Sequence, residues 1–119
     1  MKVVKNTYDS GKEILYIPDH YLGLPVMVQQ GGVATNGEGK KIRLAGSFLA
    51  QTGMLAVTTP GAEDAPDTSD VFGVLLRDTD VTAGAAPGTV IIHGVVNVSK
   101  LPDAPDDATK AALPLVKFM

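Results

Sequence analysis

Along most of this chain the apolar residues fall in short runs of four to eight, closed by glycine, proline or clustered polar residues, which is the pattern of a β-rich protein. Leu24-Pro25-Val26-Met27-Val28 is the first such run after the N-terminal region, and Gln29-Gln30-Gly31-Gly32 closes it. Lys41-Ile42-Arg43-Leu44-Ala45 alternates polar and apolar positions with the period of a half-buried strand, and Gly46-Ser47-Phe48-Leu49 follows directly. Met54-Leu55-Ala56-Val57-Thr58 predicts a further strand, ended by the turn signal Pro60-Gly61. The acidic stretch from Glu63 to Asp70 then reads as a surface loop.

Two segments carry the strongest strand signal, Val71-Phe72-Gly73-Val74-Leu75-Leu76 and the long run from Thr89 to Val98. Thr82-Ala83-Gly84-Ala85-Ala86-Pro87-Gly88 lies between them, so the pair reads as strand, loop, strand. The second run is almost continuously apolar rather than alternating, which predicts burial on both faces, by the chain's own core and by a neighbouring subunit. Val90, Ile92, Val95 and Val96 are therefore the expected oligomer contact.

Asp106 to Leu113 predicts the one helix, short, with acidic residues in its first turn, where the helix dipole favours them, and Pro114 ending it. Leu115 to Met119 then fits a closing strand. At the other end, residues 1–17 mix charge with tyrosines and hold one β-prone run, Ile14-Leu15-Tyr16-Ile17. They predict an extended, flexible arm ahead of a single compact domain over 18–119. The expected fold is thus mostly β, or α+β, built of short strands with one C-terminal helix.

Composition narrows the function more than the fold. A length of 119 residues suits one core, and 45% apolar residues with 5% aromatics and no Trp require it to be packed with aliphatic side chains. Ten basic against thirteen acidic residues give a net charge of −3, with no basic run longer than Lys40-Lys41. Nucleic acid and anionic membranes reward a concentrated basic face, so neither is an expected partner. No apolar stretch approaches the length of a membrane-spanning helix and no signal sequence is evident. The absence of cysteine removes disulfides, thiolate nucleophiles and cysteine-held metals.

The search for catalytic groups returns little. Gly39-Lys40 is followed by Lys41, and Ala34 stands where a phosphate-binding loop needs its first glycine, so this stretch reads as a turn bearing solvated charge. His20 and His93 are far apart in the chain, each without a second His beside it, and no metal or other cofactor is expected. Asp78-Thr79-Asp80 places two carboxylates close together but lacks calcium-loop spacing, and reads as a strand end entering a turn.

The order of several short motifs carries a resemblance. Ala45-Gly46-Ser47-Phe48-Leu49, then Gly73 to Asp80, then Gly88 to Asn97, then Lys100-Leu101-Pro102 with an Ala-rich acidic helix and a closing apolar strand, resembles the lambda-type head decoration proteins of tailed phages. The likeness covers roughly Ala45 to Met119. Leu101-Pro102 stands where the lambda-type protein has Trp-Pro, and the N-terminal half is longer here. The resemblance implies a homotrimer bound to the major capsid protein on the outer surface of the virion, made in the bacterial host cytoplasm, bracing the expanded head without enzymatic activity. It also implies that the arm adds a strand to the capsid protein, which on this chain points to Val3, Val4, Tyr8, Ile14, Leu15, Tyr16 and Ile17. A different class of reading, a small β-rich ligand- or carbohydrate-binding module on a phage or cell surface, needs an exposed aromatic platform that three Tyr and three Phe supply thinly.

Overall fold

The computed structural model describes residues 13–119. The strands in chain order are β1 (Tyr21–Val28), β2 (Ile42–Arg43), β3 (Phe48–Ala50), β4 (Thr58–Thr59), β5 (Thr68–Ser69), β6 (Val71–Leu75), β7 (Thr79–Asp80), β8 (Ala86–Val96) and β9 (Val116–Phe118). A 3-10 turn covers Val98–Lys100, and the single α-helix among the described residues, α1, covers Asp107–Ala112. The fold is mostly β, as the patterning predicts.

The long β8 organises the main sheet, whose order is β1-β8-β6-β3 with β9 also on β8. β1 runs antiparallel along one edge of β8, from Val28 opposite Ala86 to Tyr21 opposite Gly94. β6 holds the other edge through Val74 opposite Ile91 and Leu75 opposite Val90, and farther on β9 pairs in parallel from Gly94 to Val96. β2 pairs with β7, and β4 with β5, in two small ribbons outside this sheet.

Alternation along β6 and β8 feeds two separate cores. Val71, Val74, Leu76 and Ile91 join Ile14, Leu15, Leu113 and Val116 in one cluster. Leu75 and Val90 join Val26, Val28, Leu49 and Val81 in the other, with Phe72 and Ile92 packed against it. Neighbouring residues of a strand point to opposite faces, so the sheet is covered on both sides by its own chain. Each aliphatic side chain fully buried this way stabilises the fold by roughly 1.5–3 kcal/mol. Two irregularities interrupt the alternation: on β6, Leu49 lies opposite Gly73 but Ala50 opposite Val71, and on β8, Leu22 lies opposite His93 but Gly23 opposite Ile91, so Ile92 is the extra residue of a β-bulge. Beyond the bulge the parity reverses, and Val96 returns to the cluster of Ile91.

Several boundaries differ from the patterning. β8 starts at Ala86, inside the stretch expected to be loop, and β1 starts at Tyr21 rather than Leu24. Met54 to Val57 form no strand beyond a bridge from Leu55 to Leu49, because the chain turns tightly just before them. Gly53 makes that turn: its φ is 87°, and a Cβ there would stand 1.7 Å from the Met27 carbonyl oxygen. Only glycine fits. α1 lies within the expected span, capped by the Asp106 carboxylate, which accepts from the Thr109 N–H at 2.8 Å.

Candidate docking surface

The arm expected over 1–17 divides in the structure. Val3, Val4 and Tyr8 lie outside the described residues. Ile14 and Leu15 do not belong to an arm: both are buried in the first core cluster, and Leu15 bridges Val96 antiparallel. The Tyr16 N–H donates to the Val95 carbonyl and the Asn97 N–H to the Ile14 carbonyl, each at 2.8 Å. The compact unit therefore reaches back to Ile14, ahead of the expected boundary at residue 18. Tyr16 and Ile17, by contrast, are exposed.

The expected oligomer contact divides as well. Val90 and Val96 are 0% exposed, covered by their own chain on opposite faces of the sheet, and so offer nothing to a second subunit. Ile92 and Val95 are only half-buried. A continuous apolar run shows burial on both faces but not which chain supplies the cover, and the bulge at Ile92 shifts the parity that would have separated these four residues.

Cross-strand pairs place their side chains on one face. Val28 opposite Ala86, Val26 opposite Gly88, Leu24 opposite Val90 and Leu22 opposite His93 therefore share the face of the second cluster. Burial falls along this row: Val28 is 0% exposed, Leu24 half-buried, and Leu22 54% exposed. The cover supplied by Leu49 and Val81 ends before the last pair. Tyr16, 55% exposed, adjoins Val95 at the same end of the sheet. Leu22, Leu24, Ile92, Val95 and Tyr16 thus form an open apolar strip with His93 among them, and Lys117, opposite Val95, stands at its margin. Tyr16 and Leu22 are the exposed members of this strip, and Leu24, Ile92 and Val95 lie half-buried beside them.

The polar groups that could have formed a reactive site are spent on structure. Asp78 accepts from the Ala45 N–H at 2.7 Å. Asp80 accepts from both the N–H and the hydroxyl of Thr82, and these bonds hold its carboxyl below the usual carboxylate value. Both aspartates line a cleft of about 410 Å³ that ends at Gly88 and Thr89. His93 lies five residues beyond Gly88 on β8, about 16 Å along the strand. The two aspartates and a histidine are not brought together. The glycine-rich segment closes on itself, with the Asn36 side chain accepting from the N–H groups of Glu38 and Lys40 at 2.9 and 3.0 Å. Its amides face inward to that turn rather than to a phosphate.

What sequence reasoning missed is the meeting of the two histidines. Their ring centroids stand 5.2 Å apart, because the bulge sets Leu22 opposite His93 and brings the preceding turn alongside. No short-range spacing could have shown it. No protein-family model matches this chain, and neither a curated protein nor a solved structure matches it.

Proposed function

We propose that this chain is a head decoration protein that docks on the outer surface of a mature phage capsid as a homotrimer and braces the expanded shell. The observation that carries the docking part is the open strip of Leu22, Leu24, Ile92, Val95 and Tyr16, at the end of the sheet where the N-terminal segment joins it. The phage part rests on the order of sequence motifs between Ala45 and Met119. The carboxylates committed to backbone hydrogen bonds favour a protein that acts by contact rather than by chemistry.

A trimer touching several major capsid protein subunits gains effective concentration after its first attachment, so modest individual contacts sum to a firm hold. Each bound copy then stabilises the expanded shell by mass action, provided the unexpanded shell binds it less well. The test mixes purified protein with expanded heads and measures co-sedimentation and the temperature at which the heads rupture. Binding at micromolar protein with a raised rupture temperature supports the proposal. Protein left in the supernatant, with heads no more heat-resistant, rejects it.

A further inference from the structure

The geometry points to a binding site for one divalent transition-metal ion between His20 and His93. The inference concerns the histidine pair alone and stands whether or not the chain decorates capsids.

His20 closes the short turn ahead of β1, where its N–H donates to the Ile17 carbonyl at 3.3 Å, and His93 sits at the bulge of β8. Backbone packing holds the two segments together. Gly94 has φ 153°, and a Cβ there would stand 3.1 Å from both the His20 carbonyl oxygen and the Tyr21 Cβ, so the missing side chain is what lets β8 approach the turn this closely. The rings lie 5.2 Å apart, tilted by 59°.

That separation suits a shared ion. A zinc–nitrogen bond of about 2.1 Å places an imidazole centroid roughly 3.2 Å from the metal, and two such centroids subtend a tetrahedral angle of about 110° at a separation near the one observed. His20 is exposed, so its ring is free to turn one nitrogen toward an ion shared with the half-buried His93. No cluster of three or more His, Cys, Asp or Glu exists among the described residues, so an ion held by this pair would complete its coordination with water. Neutral imidazoles with open water positions select Cu²⁺, Ni²⁺ and Zn²⁺ over Mg²⁺ and Ca²⁺, which prefer oxygen ligands. A bound ion would clip the turn before β1 to β8, beside the open apolar strip.

The test titrates the tag-free full chain with Ni²⁺ and with Zn²⁺ by calorimetry at neutral pH, alongside His20→Gln and His93→Gln. Saturable binding of one ion per chain is expected, weakened at least about tenfold by either substitution. His20 lies in an exposed turn, so its variant remains informative should His93→Gln fail to fold. Absence of saturable binding below about 1 mM, or binding unchanged in His20→Gln, overturns the assignment.

Discussion

Leu15 pairs with Val96 across the end of β8, and this bridge decides where the N-terminal segment ceases to be separable from the domain. Ile14 and Leu15 fill the first core cluster beside Ile91, Val96 and Val116, so the strand they contribute is occupied within the chain and is not available to a capsid subunit. Removing Met1 to Lys12 leaves these contacts intact, whereas Leu15→Ala opens a core cavity. The truncated chain should melt within a few degrees of the full one, and Leu15→Ala should lose about 2–5 kcal/mol in denaturant unfolding.

Glycine substitutions should separate by the space around them. Gly53→Ala combines a positive φ with a direct collision against the Met27 carbonyl and should be the most damaging, reducing folded yield outright. Gly39→Ala has the same sign of φ, at 76°, but open space around it, and should cost only about 1–2 kcal/mol. Thermal melts of the two variants check this. Equal losses would contradict the packing at Gly53.

Burial also leaves Arg43 with a mismatch. The side chain is 6% exposed and donates to the Gly31 carbonyl at 2.7 Å, yet its Nε is buried with no acceptor among the described residues, and desolvation lowers the pKa of the guanidinium. A buried donor without a partner is costly, so an apolar side chain of similar length should be tolerated. Arg43→Met is expected to be neutral or to stabilise by about 1 kcal/mol in urea unfolding.

The cap of α1 predicts a pH dependence. Hydrogen bonds from Thr109, and one from the Thr58 hydroxyl, lower the Asp106 pKa from its ordinary 3.8. A carboxyl whose folded pKa lies below its unfolded value contributes stability that is present above the unfolded pKa and lost as pH falls through the folded one. Asp106→Asn keeps an acceptor for the cap but cannot titrate. Melting temperatures between pH 5 and the acid limit should therefore fall less steeply for Asp106→Asn than for the unsubstituted chain. Parallel slopes would remove Asp106 from the account.

The strands with the densest β-branched and aliphatic runs, β6 and β8, were legible from sequence because burial on both faces leaves little choice of residue there. The helix was legible through its acidic first turn and Pro114. Harder to read were features set by pairing between distant segments. The parallel contact of β9 with β8 and the absorption of Ile14 and Leu15 into the core depend on which edge is already taken, and the tight turn at Gly53 leaves Met54 to Val57 with no more than a bridge to β3. The docking strip was half visible: Ile92 and Val95 belong to it, whereas Val90, on the same face, is covered by Leu49 and Val81, and Val96 is turned to the opposite face by the bulge at Ile92. Leu22 was missed, since an exposed leucine at a strand end carries no signal until its partner His93 is known.

The central claim is that this chain works by laying its open apolar strip on another protein surface. Electron cryomicroscopy of expanded heads saturated with the protein tests it most directly. The account predicts ordered density at the three-fold positions of the shell with Tyr16, Leu22, Ile92 and Val95 covered by a neighbouring subunit. Bare three-fold positions, or bound copies with that strip facing solvent, would contradict it.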